Sequence, residues 1–277
     1  MVNIKLKINK VSLSKITKNG RALFLAYDHG MEHGTIDFDD RSIDPEKVLT
    51  IADCGLFTGV VLQKGVAEKY YDSKKHRVPL IVKLNGKTNL IADPDPYSPQ
   101  LCSVEEAVEL GASAVGYTVY VGSRYEAKMM DEFAKIERET DKFGLPLIGW
   151  MYPRGKAVAG KEYSKEVLSY TARLALEVGA EMVKIPYSGD RKSFSWVVKA
   201  AGKVKIVVQG GPKIEEGRFY QMVRDVLSAG AVGLAVGRNV WQAKEPIRVA
   251  EEINKIIFDD KEKGKKKNRI DKTCGRE

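Results

Sequence analysis

A single lysine, Lys184, lies near the end of the apolar segment 180–185, and a turn signal follows at 188–190. Burying a charged ammonium without a partner is costly, so a lysine at this place is favoured when its amine is neutral. A neutral amine carries a free lone pair and can attack a carbonyl carbon to form a Schiff base. The alternative is a structural lysine that pairs with a carboxylate or extends to the surface, and the segment alone leaves both open.

Two further groups that could move or hold a proton follow other apolar segments. Tyr152 comes after the segment 145–151, and a tyrosine can act as a general acid or base once it is within hydrogen-bond reach. Asp28 comes after the segment 22–27 and could hold a substrate hydroxyl or the cationic Schiff base. The structural alternatives are an aromatic side chain that packs against Pro153 and a carboxylate that caps a helix.

Lys83 ends a third apolar segment, 79–84. A second ammonium near Lys184 would help to keep that amine neutral, because like charges repel. Ordinary exposure at the surface is the interpretation that we favour for Lys83 on sequence alone.

Two glycine-rich turns late in the chain are candidates for binding a phosphate. Gln209, Gly210 and Gly211 follow the apolar segment 204–208, and Gly237 and Arg238 follow the segment 232–236. Glycine lets the backbone approach a ligand closely, and the arginine adds charge and a planar fork of donors. A single glycine pair would indicate only a tight turn. Two such turns after two consecutive apolar segments favour a phosphate site.

A metal site is the competing interpretation of the region that follows the first apolar segment, residues 28–37. Candidate ligands cluster between residues 28 and 37, but their spacing lacks the i, i+4 pattern of helical zinc motifs. The three cysteines, at 54, 102 and 274, are widely scattered and show no metal-ligand or disulfide pattern. We therefore expect no metal and no cofactor. The clustered ligand types are Asp28, His29, Glu32, His33 and Asp37.

Eight short apolar segments alternate with helical segments, and together they must position these side chains. Parallel strands need crossover helices, and strands covered on both faces are continuously apolar. Eight such units predict a single (β/α)₈ TIM barrel, in which the candidate residues would meet at the carboxyl ends of the strands. The turn after the first strand lacks a G-x-G-x-x-G motif, which argues against a dinucleotide-binding fold. The predicted strands are 22–27, 57–62, 79–84, 114–120, 145–151, 180–185, 204–208 and 232–236.

The ends of the chain and its charge suggest little beyond the barrel. The 277 residues carry a net charge of +9, and a net +5 of it lies in 261–277, with eight basic and three acidic residues. We expect the barrel to occupy 1–258, with an N-terminal extension that caps it, and 259–277 to be a disordered basic tail. No apolar run is long enough to span a bilayer, and no signal peptide or disulfide pattern is evident. We therefore expect a cytoplasmic enzyme without a membrane or nucleic-acid partner.

The sequence resembles the archaeal-type class I fructose-1,6-bisphosphate aldolases over about residues 20–257. The resemblance depends on five motifs in this order, which together are far more specific than any one glycine pair. They are AYDHGMEHG at 26–34, GWMYPRG at 149–155, VKIPYSGD at 183–190, QGGPK at 209–213 and AVGRNVWQ at 235–242.

Carried over position by position, the resemblance implies that Lys184 is the Schiff-base lysine and Tyr152 the proton-transfer residue. It implies that Asp28 holds the lysine or a substrate hydroxyl, and that Trp150 lines the pocket. It also implies a metal-independent barrel, a phosphorylated sugar substrate and a homo-oligomer, a decamer in this family. The residues expected to bind the substrate are His29, Trp150, Gln209, Gly210, Gly211, Gly237 and Arg238.

Two other functions remain open from the sequence. A related barrel, the 2-amino-3,7-dideoxy-D-threo-hept-6-ulosonate synthase of aromatic amino-acid biosynthesis, shares the lysine, the tyrosine and the phosphate turns. The loop DHGMEHG resembles the bisphosphate aldolase more closely. A non-catalytic protein that binds RNA or an acidic surface through the basic tail is the alternative from a different functional class.

Overall fold

The computed structural model describes residues 11–259. The basic tail, apart from its first residue, lies outside the described residues, so the prediction that it is disordered stays a prediction. The first ten residues and Cys274 also lie outside them. In the described part of the N-terminal extension, residues 11–21, a single 3₁₀ turn, Leu13–Lys15, is present.

Eight strands alternate with helices along the described chain. The strands are β1 (Ala22–Ala26), β2 (Gly59–Gln63), β3 (Leu80–Lys83), β4 (Ala114–Val121), β5 (Leu147–Pro153), β6 (Met182–Ile185), β7 (Lys205–Gln209) and β8 (Gly233–Val236). The helices are α1 (Gly30–His33), α2 (Pro45–Ala52), α3 (Lys64–Tyr70), α4 (Val104–Glu109), α5 (Glu126–Phe143), α6 (Lys165–Glu177), α7 (Arg191–Ala200), α8 (Glu216–Ser228), α9 (Arg238–Trp241) and α10 (Pro246–Phe258).

The strands form one closed barrel in sequence order, and every neighbouring pair is parallel. Strand β1 closes the ring by pairing with both β2 and β8. The prediction of a (β/α)₈ barrel is confirmed. Closure brings the carboxyl ends of all eight strands to one rim, which is where the candidate residues follow the strands.

Side chains alternate between two cores, as the two-residue period of a strand requires. The inward set fills the barrel with bulky apolar groups, including Phe24, Ile81, Ile148 and Met182. Ile16, which precedes β1 and is fully buried, joins this inner cluster. The outward set packs against the surrounding helices and forms the larger core. The inner positions nearest the rim are the ones that carry polar side chains.

Local signals explain the bounds of several helices. Ser103 and Glu106 form a reciprocal capping box at the start of α4, and Ser164 accepts a hydrogen bond from the Val167 amide at the start of α6. Helix α5 ends at Gly144, which is left-handed with φ 63°.

The short helices α1 and α9 were not predicted, because four residues are too few to show a helical period. Both begin immediately after candidate site residues, at the ends of β1 and β8. None of the helices between residues 11 and 259 is long and apolar enough to cross a bilayer.

Candidate active site

All ten predicted site residues line one cavity at the carboxyl ends of the strands. The cavity has a volume of about 910 Å³, including its open mouth. The ten residues are Asp28, His29, Trp150, Tyr152, Lys184, Gln209, Gly210, Gly211, Gly237 and Arg238.

Lys184 lies on β6 and is 5% exposed. Its neighbours across the sheet are Trp150 on β5 and Val207 on β7, and its Nζ lies 5.2 Å from the centroid of the Trp150 ring. Burial lowers the pKa of the amine below its ordinary value, although the carboxylates of Asp28 and Glu32 oppose the shift. The structure therefore provides the buried amine of depressed pKa that Schiff-base chemistry needs.

Asp28 and His29 follow β1 and face the same cavity. Burial alone would raise the pKa of Asp28, but interactions with nearby basic groups, above all Lys184, bring it below its ordinary value. Asp28 is therefore ionised near neutral pH. Burial lowers the pKa of His29 to about 4, so its ring is neutral under the same conditions. A carboxylate close to the amine can stabilise a protonated imine when one forms.

Tyr152 and Trp150 alternate on β5 and both point inward, separated by Met151 on the outer face. Burial raises the pKa of Tyr152 well above its ordinary value, and the negative charges of Asp28 and Glu32 add to the shift. The phenol is therefore held protonated, in the form that can give a proton away. Trp150 is 1% exposed, and its ring forms one wall beside the Lys184 amine.

The turns after β7 and β8 meet at the part of the rim between β6 and β1 and have the properties expected of an anion site. Gly211 has φ +69°, a conformation that side chains disfavour. A Cβ at Gly237 would lie 2.6 Å from His29 Cε1, so this position also excludes a side chain. Arg238 begins α9, and its buried Nε makes no hydrogen bond within residues 11–259. Its Nη1 lies 3.5 Å from Asp37 Oδ1.

Two residues that hold these turns in place were missed by the sequence analysis. Asn239 is 5% exposed, donates from Nδ2 to the carbonyls of Gly210 and Pro212 at 2.9 Å each, and accepts from the Ile214 amide at 3.0 Å. Trp241 donates its indole N–H to the carbonyl of Ala26 at 3.1 Å. Helix α9 thus ties together the ends of β7, β8 and β1. The motif AVGRNVWQ contains both residues, but nothing in their spacing indicates these partners.

The expectation that Lys83 is exposed was wrong, because it points into the barrel and is 4% exposed. Its Nζ donates to both the backbone carbonyl and Oδ1 of Asn85, at 2.9 Å each. Asn85 is fully buried, and its amide also donates to the carbonyls of Ser98 and Thr118. Burial lowers the pKa of Lys83 to about 8, and repulsion from Lys184 acts in the same direction.

The sequence analysis also did not connect a second group of residues that line the cavity. Glu32, in α1, forms an ion pair with Arg154, which directly follows β5. The Tyr120 hydroxyl lies 3.4 Å from Glu32 Oε1, and the Arg154 guanidinium lies 5.4 Å from the centroid of the Tyr120 ring. The two ion-paired residues are 122 positions apart, so no local pattern could have connected them.

Three of the five residues that were weighed as metal ligands are engaged elsewhere. Glu32 pairs with Arg154, while His33 contacts Asp37, which also faces Arg238. No group of three or more His, Cys, Asp or Glu side chains in the described range, 11–259, is placed to hold a metal ion.

Comparison with known proteins agrees with this geometry. The chain is 52% identical over 247 residues to the class 1 fructose-bisphosphate aldolase of Thermoproteus tenax, covering 88% of this chain and 92% of the relative. It is 36% identical to 2-amino-3,7-dideoxy-D-threo-hept-6-ulosonate synthase 1 of Archaeoglobus fulgidus, over 88% and 89% of the two chains.

A solved structure supports the same grouping. An archaeal fructose-1,6-bisphosphate aldolase, with its catalytic lysine covalently bound to the carbinolamine intermediate of the substrate, matches with a TM-score of 0.86 and 50% identity. The match covers 91% of this chain and 99% of that one. The resemblance predicted from the five motifs is confirmed. Residues 22–243, which include all eight strands, match the family model of the DeoC/LacD family aldolases. The chain therefore belongs to that family.

Proposed function

We propose that this chain is a class I, Schiff-base fructose-1,6-bisphosphate aldolase, which reversibly cleaves the sugar to dihydroxyacetone phosphate and glyceraldehyde 3-phosphate. The observation that carries the proposal is the buried Lys184 amine, which faces one cavity together with Asp28, Tyr152 and the turns of Gly210 and Gly237. The relatives at 52% and 50% identity bear that activity in their names.

The first half of the reaction depends on the neutral Lys184 amine. It adds to the keto carbon, C2, of the open-chain sugar, and loss of water gives a protonated imine. The ionised Asp28 favours this cation and can also hold a substrate hydroxyl. The imine withdraws electrons, so the C3–C4 bond breaks as the C4 hydroxyl loses its proton, and glyceraldehyde 3-phosphate leaves.

The second half of the reaction returns the enzyme to its starting state. The remaining enamine takes a proton at C3 from Tyr152, whose raised pKa keeps the phenol protonated until then. Water then hydrolyses the imine and releases dihydroxyacetone phosphate and the free amine. Tyr152 regains a proton from solvent, which balances the proton that the C4 hydroxyl released. The glycine turns and Arg238 hold the phosphate of the dihydroxyacetone phosphate half of the sugar, so the carbonyl carbon stays at Lys184.

Trapping the imine tests the proposal directly. The protein is incubated with dihydroxyacetone phosphate and sodium borohydride, digested, and mapped by mass spectrometry. We expect a stable adduct on Lys184 in the wild type and none there in Lys184→Met, a variant of similar volume without an amine. An adduct on another lysine, or none on any, would overturn the assignment.

Two other functions can be separated from this one. The heptulosonate synthase would form the same adduct, but the bisphosphate aldolase should also cleave fructose 1,6-bisphosphate, as a coupled assay of triose phosphate measures. A binder that uses the basic tail should lose its partner when residues 260–277 are deleted, whereas the aldolase should keep its turnover.

We further propose that the enzyme serves glycolysis and gluconeogenesis in the cytoplasm and works as a homo-oligomer, a decamer in the resemblance described above. Light scattering coupled to size-exclusion chromatography measures the number of subunits. A monomer at working concentrations would contradict this part of the proposal.

A further inference from the structure

Asp37 lies in the segment between α1 and α2 and contacts both Arg238 and His33. Its Oδ1 atom lies 3.5 Å from Nη1 of Arg238, and its Oδ2 atom contacts Nδ1 of His33. The Asp37 side chain is 15% exposed and that of Arg238 is 20% exposed. Asp37 and Arg238 are 201 positions apart, and the pairing of β1 with β8 brings them together. One carboxylate thus joins the loop after β1 to the arginine after β8.

Contacts other than the one to Arg238 fix the position of Asp37. Gln242, which follows α9, donates from Nε2 to the backbone carbonyl of Asp37 at 2.7 Å. The adjacent Phe38 ring lies 5.5 Å from the Trp241 ring, centroid to centroid. The Asp37 carboxylate is therefore already in place beside Arg238, and its position does not depend on the flexible arginine side chain.

Asp37 carries a negative charge at this place. Burial would raise its pKa, but the hydrogen bond with His33 and the charge of Arg238 bring the pKa below its ordinary value. Asp37 is therefore ionised near neutral pH, and an ionised carboxylate only accepts hydrogen bonds. His33 must then carry its hydrogen on Nδ1. One oxygen of Asp37 is engaged by His33, and the other faces the guanidinium.

We propose that Asp37 is a positioning residue, which holds Arg238 in the orientation that binds the phosphate of the dihydroxyacetone phosphate half. The inference deepens the proposed function and depends on it. Arg238 Nη1 faces Asp37, whereas the buried Nε makes no hydrogen bond within residues 11–259. This leaves the Nε edge of the fork for the phosphate, and an arginine can bind a phosphate through two parallel hydrogen bonds. Because Asp37 restricts the long side chain beforehand, less rotamer freedom is lost when the ligand binds.

Repulsion between the Asp37 carboxylate and the bound phosphate acts in the opposite direction. The Arg238 guanidinium lies within ion-pair distance of Asp37 and offsets its charge, so we expect orientation to outweigh repulsion. The sign of the change in KM when the charge is removed therefore distinguishes the two effects.

The aldol condensation measures the two phosphates separately, because each arrives on its own substrate. In Asp37→Asn, which keeps the shape and removes the charge, we expect the KM for dihydroxyacetone phosphate to rise about 5- to 20-fold, as for a weakened hydrogen bond between charged groups. The KM for glyceraldehyde 3-phosphate and kcat should each change by less than about twofold. Asp37→Ala, which also removes the acceptor oxygens, should raise the first KM at least as far.

A double-mutant cycle with Arg238→Gln separates positioning from a general structural effect. If Asp37 acts through Arg238, adding Asp37→Asn to Arg238→Gln should not raise the KM for dihydroxyacetone phosphate further. The matched control is Asp131→Asn, which removes an exposed carboxylate paired with Lys135 on α5 and should leave every value unchanged. A fall or no change in KM in both Asp37 variants, an equal rise for both substrates, or additive effects in the cycle would refute the inference. Failure of the wild type to form the Lys184 adduct with dihydroxyacetone phosphate would instead refute the proposed function.

Discussion

The two sides of the cavity mouth are built differently. The backbone side consists of Gly210, Gly211, Gly237 and Arg238, after β7 and β8, and its turns are tied together by buried hydrogen bonds from α9. The side-chain side consists of Glu32, Lys87 and Arg154, after β1, β3 and β5, and depends on a partly exposed ion pair. The first is held by buried hydrogen bonds, and the second by an ion pair at the open mouth.

This difference indicates where the cavity is firmly built and where it is open. A preorganised backbone site suits the end of a substrate that reacts, where small displacements cost the most in rate. The ion pair on the other side lies partly exposed at the mouth. The reacting groups Lys184 and Tyr152 lie on β6 and β5, between the two sides.

Lys184→Ala should have the largest effect, because it removes the nucleophile and leaves both sides of the mouth intact. We expect kcat/KM for the bisphosphate to fall by at least about 10⁴-fold, a loss typical of covalent nucleophiles. Circular dichroism should be unchanged, and calorimetric binding of dihydroxyacetone phosphate should persist at the backbone side. Normal cleavage by this variant would contradict the assignment of the nucleophile.

Tyr152→Phe should have the next largest effect, since it removes the phenol proton and keeps the ring beside Arg154. We expect kcat to fall about 10²- to 10⁴-fold, the range for general acid or base catalysis. The KM for dihydroxyacetone phosphate should be unchanged, because Tyr152 does not belong to the backbone side. Tyr170→Phe, on the exposed face of α6, is the control. A rise in KM without a loss of kcat would contradict the role.

Acidification should lower the free energy of unfolding through His29, whose ring lies against Gly237 on the backbone side. Its pKa is about 4 in the folded protein and about 6.5 when unfolded, so the unfolded chain binds more protons between these values. The free energy of unfolding should therefore fall as the pH falls through this window, by about 2 kcal/mol between pH 7 and pH 5. Urea unfolding of the wild type and His29→Gln measures it, and equal losses in both proteins would refute it.

Asn239→Ala should have the smallest effect on turnover and would sharpen the comparison most. It leaves the carbonyls of Gly210 and Pro212 and the Ile214 amide without their partner, so we expect about 1–3 kcal/mol less stability. The KM for dihydroxyacetone phosphate should rise and that for glyceraldehyde 3-phosphate should not. Asn254→Ala, which loses one hydrogen bond to Leu56 on another part of the molecule, should affect stability alone.

The sequence predicted the barrel well because its strands are short, continuously apolar and separated by clear helical segments. The bounds shifted by one or two residues where polar or aromatic side chains continue a strand. Strand β5, for example, runs to Pro153 because Tyr152 points into the cavity, whereas the apolar pattern ends at residue 151. A hydrophobic pattern cannot count an inward-facing polar residue as part of a strand.

The site was predictable only where residues follow the strands and carry chemistry by their type, such as Lys184, Tyr152 and Asp28. Lys83 was misjudged because its partner Asn85 satisfies a buried ammonium through carbonyl oxygens rather than a carboxylate. The ion pair of Glu32 with Arg154 and the contacts of Asn239 join segments that meet only after the barrel closes. No local spacing carries that information.

Closure of the sheet has a consequence for how copies of this chain can meet. An open sheet ends in strands with unpaired N–H and C=O groups, which another chain can extend, but a ring of eight strands presents no such edge. Association between copies must therefore go through helix faces and loops, by side-chain packing and not by strand addition. Copies of the chain can thus associate without exposing the open strand edge that leads to fibrous aggregation.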